Sequence, residues 1–256
     1  MLWVWSSSSS PIHQSWNALE LGPFSIGFPN LDQTTLDQKM RKAGFQGLNK
    51  MEVYPLQRSD GTEYTIKETI FNGPNFIHAV GIERCDGMPP LGDVDPQTGM
   101  GGPAYSAQII RNTEASLLFY TQILGLELRA GWVWESAGTD GALNVPDGTT
   151  FKFSLVYAPG ARSGHLLFVE YLNQPVINPT SPPRLPSLGM GMWSFEVKNL
   201  TDLLTRASQA QYPLFRSPLN YKHPLLGPIQ SALFHDPDGF LIEVYQVISM
   251  LEIDKK

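Results

Sequence analysis

The sequence predicts an α+β protein of repeated βαβββ modules, forming curved mixed sheets (half-barrels) with helices on the outer face. Three observations carry this expectation. A short apolar strand, an asparagine and a helix of roughly three turns recur in that order three times along the chain. Three strand-like runs follow each of the first two helices, and two follow the third. Two Pro/Gly-rich stretches, about 86–103 and 173–189, separate the copies and are too rich in proline to be helical.

Taken in order, Ile26-Gly27-Phe28-Pro29-Asn30 leads into the first helix and Gln108-Ile109-Ile110-Arg111-Asn112 into the second. Ser194 to Asn199 leads into the third. An asparagine oxygen accepts a backbone N–H left unpaired in the first helical turn, so Asn30, Asn112 and Asn199 read as N-caps. Apolar residues then repeat near the helical period: Leu31, Leu36 and Met40; Leu117, Tyr120 and Leu124; Leu200, Leu203 and Ala207. Gly44 and Gly125 stand where a helix C-terminal glycine belongs. The strand runs are MEVYPL, EYTIKETIF and FIHAVGIE; WVWES, FKFSLVYA and HLLFVEYL; then QSALF and FLIEVYQVI. The expected division is a tail at 1–16, a single module at 17–84 and a linker at 85–103. A paired-module domain at 104–248 and a C-terminal tail at 249–256 complete it.

Bulk properties narrow the function. The formal net charge is -6 and no basic cluster is visible, which argues against a nucleic-acid partner. A single cysteine, Cys85, excludes an intrachain disulfide and a thiolate zinc cage, and a cytoplasmic location is the expectation. The N-terminal run Met1-Leu2-Trp3-Val4-Trp5 is too short for a signal or a membrane span and lacks a basic flank. No membrane partner is expected.

Two stretches carry a family resemblance. One is Asn112-Thr113-Glu114-Ala115-Ser116 followed by Phe119-Tyr120 and Gly125-Leu126; the other runs from Phe234 through Asp236-Pro237-Asp238-Gly239 to Glu243. In both, the chain resembles the vicinal oxygen chelate superfamily (glyoxalases, bleomycin resistance proteins and extradiol dioxygenases) over about 104–248. Residues 17–84 match more weakly, with Asn72-Gly73-Pro74-Asn75 standing where the Asp-Pro-Asp-Gly turn would be and no partner module evident ahead of them.

The resemblance implies paired modules enclosing a metal and an oxygenated substrate, with ligands on the first and last strands of each module. It places Glu170 and Glu243 at the last-strand positions, and Tyr105 and Met192 where the family has histidine. In the first module the matching positions are near Pro23 and at Ala79 or Val80. Two carboxylates alone suit zinc, nickel or iron poorly, and a thioether does not replace imidazole. No cofactor is therefore expected; if a divalent metal is found, Glu170 and Glu243 are its ligands.

Function follows as an expectation. Glu170 and Glu243 face one cavity as acid–base groups, since nearby carboxylates in low dielectric raise each other's pKa. Tyr105 takes a ligand oxygen, and Met192, Trp132, Trp134, Phe153 and Trp193 supply lining. His223, in a proline-containing loop, could cover the mouth. His165, five positions before Glu170, falls on the opposite face of its strand. The expected function is binding of a small oxygenated or aromatic molecule, with lyase, isomerase or cyclase chemistry by proton transfer. The alternatives are sequestration without turnover, as in bleomycin-resistance-like proteins, and a metal enzyme with ligands shifted to His223 or His165. Because the number of modules is odd, the first is expected to pair with its counterpart in a homodimer or against the later domain.

Overall fold

The computed structural model describes residues 17–57, 61–179 and 189–248. The two expected tails lie outside the described residues. Three βαβββ modules are present. The first comprises β1 (Gly22–Pro29), α1 (Gln33–Lys42), β2 (Glu52–Gln57), β3 (Glu63–Asn72) and β4 (His78–Arg84). The linker carries a small ribbon, β5 (Val94–Asp95) with β6 (Met100–Gly101). The second module comprises β7 (Tyr105–Ile110), α2 (Thr113–Leu117), β8 (Glu127–Glu135), β9 (Thr150–Tyr157) and β10 (His165–Tyr171). Its helix α2 runs on into a π-helical segment, Leu118–Ile123. The third comprises β11 (Met192–Glu196), α3 (Leu200–Gln209), β12 (Arg216–His223), β13 (Gly227–His235) and β14 (Leu241–Val247).

The helix ends follow local chemistry. Asn112 and Asn199 cap α2 and α3, accepting from Ala115 N and Asp202 N. In the first module the cap is Asp32, not Asn30, with its side chain accepting from Thr35 N. Asn30 instead accepts from Asp32 N and donates to Gln33 Oε1 one step earlier. Gly44 and Gly125 have φ of 91° and 80°, the left-handed values that a helix C-terminus favours.

The first module pairs against the later domain, one of the two arrangements expected for it, whereas the second and third modules do not share a sheet. The first and second modules share one eight-stranded sheet, ordered β2-β3-β4-β1-β7-β10-β9-β8, and the third forms a separate four-stranded sheet, β11-β14-β13-β12. Among the described residues, the module without a sheet partner is therefore the third, not the first. The junction is an antiparallel pair of first strands, β1 with β7, in which Gly27 stands opposite Tyr105. The Tyr105 ring lies so close over Gly27 that a Cβ there would sit 2.0 Å from a ring carbon. Glycine opposite an aromatic ring gives this edge a fit that the strand pattern alone does not reveal.

The second and third modules are joined through their outer faces instead. Phe119, Tyr120 and Ile123 from the second, with Leu200, Leu203 and Ile242 from the third, lie in one buried apolar cluster. Asp236, 4% exposed, joins the two modules at the centre. Its Oδ2 accepts from Gln108 Nε2 and the Tyr120 hydroxyl, each at 2.9 Å, and its Oδ1 from the N–H groups of Asp238 and Phe240.

Candidate active site

Strand alternation sends one side of the eight-stranded sheet inward. Ile66, Glu68 and Ile70 of β3, Tyr105 and Ala107 of β7, and Leu167 and Val169 of β10 line an apolar cleft of about 90 Å³. The sheet curls until its outer strands approach. Tyr54 and Trp134 meet at 5.4 Å between ring centroids, and Asn49 Nδ2 donates to the carbonyls of Thr139 and Gly141. Glu52 accepts from Ala142 N on the same rim.

Glu68 places a carboxyl group in this apolar cleft. It accepts from the Tyr54 hydroxyl at 3.2 Å and stands directly opposite Glu52 in the β2–β3 register. Burial, and next the negative charge of Glu52, push its pKa from 4.5 up to about 7; the Tyr54 hydrogen bond opposes the rise. Burial and the charge of Glu68 push the Tyr54 and Tyr105 phenols well above their ordinary value, so both are O–H donors. Trp132 and Phe153 also line the cleft, with rings 5.2 Å apart, and the Trp132 indole N–H has no acceptor. The cleft thus offers a group that can give or take a proton near neutrality, a free N–H donor and aromatic walls.

The expected site residues separate into four places. Tyr105, Trp132 and Phe153 line the cleft, and Trp134 packs against its rim. Trp193 turns to the other face of its sheet, where it packs on Tyr120 and Phe240 in the core. Met192, His223 and Glu243 line a separate groove of about 790 Å³, walled mostly by the third module and completed by Asn75, Ser106 and Gly164. There the Ser194 and Tyr221 hydroxyls donate to Glu243 at 2.6 and 3.0 Å, and His223 Nδ1 accepts from the N–H groups of Leu225 and Leu226 in its own turn.

Glu170 belongs to neither cavity, which corrects the expectation that it faces Glu243. Its Oε2 accepts from Thr113 N, the first residue of α2, at 2.9 Å. The other modules repeat the device, with Glu83 accepting from Gln33 N and Gln246 from Leu200 N. The reason is strand parity: Leu166, Phe168 and Glu170 share the helix-facing side, while Leu167 and Val169 point inward. Glu170→Ala is expected to cost about 1 kcal/mol, as for a lost N-terminal acceptor, and to leave ligand binding intact. Urea unfolding beside a binding titration checks this.

Register moves two of the ligand positions that the family resemblance implied, from near Pro23 to Ser25 and from Glu170 to Leu167. Ser25, Tyr105 and Met192 take equivalent places on the first strands, opposite His78, His165 and Leu241. Two residues further on, Val80, Leu167 and Glu243 stand opposite Gly27, Ala107 and Ser194. The cleft between the paired modules therefore presents a hydroxyl, a phenol and two hydrocarbon side chains, a set that does not fit a divalent transition metal. Among the described residues, no cluster of three or more His, Cys, Asp or Glu is arranged to hold a metal ion. His165 is fully buried beside Tyr157, and burial, then the charges of Arg129 and Arg84, lower its pKa to about 4.

Glu68 and Tyr54 escaped the sequence reading. The signal was a carboxylate midway between Ile66 and Ile70, on the same face of an extended strand.

The Glyoxalase/Bleomycin resistance protein/Dioxygenase superfamily model matches residues 103–244, more than half of the chain, and the chain belongs to that superfamily. Among solved structures, it is similar to glyoxalase I from Zea mays, at 13% identity and a TM-score of 0.54, over 92% of this chain and 71% of that one. A single-substitution variant of the maize enzyme gives 14% identity and a TM-score of 0.55, with the same coverage. A glyoxalase family protein from Bacillus cereus is similar over 56% of this chain and 91% of its own, at 14% identity and a TM-score of 0.48. These likenesses concern the fold. No curated protein matches the chain in sequence. Among the described residues, no helix is long and apolar enough to cross a membrane.

Proposed function

We propose that the cleft between the first and second modules binds a small, mostly apolar molecule bearing a carbonyl or hydroxyl oxygen. Glu68 transfers a proton next to that oxygen, without a metal. The observation that supports this reading is the placement of Glu68: one carboxyl group on the wall of an apolar cleft, hydrogen-bonded by Tyr54 and opposed by the charge of Glu52. A pKa near 7 gives comparable populations of acid and base at neutral pH, the condition under which general acid–base catalysis is most effective. The free Trp132 N–H can donate to the ligand oxygen, and Phe153 can stack against an aromatic ring. Metal-free chemistry is favoured because the four inward ligand positions hold Ser25, Val80, Tyr105 and Leu167. The reaction class is lyase or isomerase proton transfer.

Acetophenone and 2-hydroxyacetophenone serve as probes. Their binding is followed by quenching of tryptophan fluorescence, and exchange of their α-hydrogens in deuterated buffer by NMR. Glu68→Gln is expected to slow the protein-dependent exchange by about 100-fold or more while binding is retained. Exchange unaffected by Glu68→Gln would refute the proton-transfer role. Binding without any protein-dependent exchange would favour sequestration.

A further inference from the structure

We infer that the molecule taken by the cleft is a carboxylic acid with an apolar body, whose carboxylate is held at one end of the cleft by Arg84 and Arg129. This rests on the reading proposed for the cleft and names the class of its ligand.

Topology brings the two arginines to one place from separate modules. Because β1 and β7 are antiparallel, the end of β4 and the start of β10 lie at the same end of the cleft. Arg84 closes β4 and lines the cleft there, with its guanidinium 5.8 Å from the centre of the Tyr64 ring. Tyr157 closes β9 at this end, on the same strand face as the cleft-lining Leu155. Arg129 stands at the irregularity of β8 between Leu128 and Ala130, and a bulge re-aims the side chain that it carries. Its guanidinium lies 5.6 Å from the centre of the Tyr157 ring. His165, opposite Tyr105 in register, packs edge-on to Tyr157, with neither ring nitrogen hydrogen-bonded. The charges of both arginines reach that ring.

Charge and spacing define what this end would take. A carboxylate among the hydrocarbon walls of the cleft would be costly to bury. At the end of the cleft, two guanidinium groups offer paired N–H donors that match its geometry. Arg129 is exposed, and among the described residues no carboxylate forms an ion pair with it. Arg162, in the turn before β10, is already paired with Asp93. Glu127, opposite Tyr157 in register, is the acidic residue at this end of β8. Two arginines against one glutamate suit a singly charged anion. In the β3–β4 register, Arg84 stands opposite Ile66 and Ile82 opposite Glu68. The arginine is thus two residues, about 7 Å, along the cleft from the proton-transfer group. A benzene ring with a carbonyl and a carboxylate on opposite carbons spans that separation, so 4-acetylbenzoate is the simplest probe.

The test compares 4-acetylbenzoate with 4-methylacetophenone, similar in shape but uncharged, by quenching of tryptophan fluorescence in the whole protein. The acid is expected to bind at least about 10-fold more tightly. Arg129→Gln should remove most of that advantage and leave the affinity for the neutral probe unchanged. Raising the salt concentration should shrink the advantage in the same way. If the two probes bind the wild type equally, or the substitution weakens both alike, the carboxylate site is overturned and the reading of the cleft stands. An advantage that survives both Arg129→Gln and Arg84→Gln places the anion elsewhere and also overturns it. If neither probe binds, the reading of the cleft fails and the inference falls with it. Should a variant fail to fold, the two probes on the wild type, at low and at high salt, still decide.

Discussion

Replacing Asp236 by alanine is expected to lower stability by about 3–5 kcal/mol, the range for breaking a buried charged network by removing one member. The carboxylate receives four hydrogen bonds, two from side chains of the second module and two from backbone N–H groups of the turn before β14. Alanine would leave all four donors without an acceptor in a site that water does not reach, and each orphaned donor costs its desolvation. Because the bonds from Gln108 and Tyr120 cross between modules, the loss should appear first as loosening of the third module against the second. Asp236→Asn keeps an acceptor for two of the donors but turns an amide N–H towards the other two, so an intermediate loss is expected. Urea unfolding of the three proteins, with hydrogen exchange read separately over 192–247, checks both the size and the location. A loss below about 1 kcal/mol for the alanine variant would contradict the assigned role.

The second large effect comes from Glu68 and runs against the usual behaviour of carboxylates. Its folded pKa of about 7 lies above the ordinary 4.5, so the folded state binds this proton more tightly than the unfolded chain does. Its contribution is fully present below pH 4.5 and is lost as pH rises through about 7. The shift corresponds to at most about 3 kcal/mol, reduced to the extent that the group still meets water at the cleft mouth. Glu68→Gln keeps the shape, removes the titration, and should flatten stability between pH 5 and pH 8 relative to the wild type. A wild-type slope that survives this substitution would assign the titration elsewhere.

The modules, their helices and their boundaries were legible in the sequence because strand and helix periods differ and because asparagine and glycine mark helix ends. Asn30 misled by two residues, since Asp32 follows it and both accept a backbone N–H a short way along the chain, Asn30 from Asp32 and Asp32 from Thr35 inside the helix. Which modules share a sheet was not legible: β1, β7 and β11 are all short apolar strands with a free edge, and the choice turns on a contact such as Gly27 under Tyr105. The error at Glu170 has a simple cause. A carboxylate on an apolar strand reads as inward-facing, yet at the strand's end the helix N-terminus on the outer side supplies a partner that needs it. Glu68 carried the converse signal, mid-strand between Ile66 and Ile70 on the face that lines the cleft and away from the helix N-terminus.

The central claim is that Glu68 holds a proton at neutral pH within the cleft, and it is tested without knowledge of the ligand. Glutamate side-chain carboxyl carbons labelled with carbon-13 can be titrated by NMR in the wild type and in Glu68→Gln. The account predicts one resonance that titrates near pH 7 in the wild type and is missing from the variant. If the resonance lost on substitution titrates at the ordinary 4.5, Glu68 is an unperturbed carboxylate and the proton-transfer site proposed for this cleft does not exist.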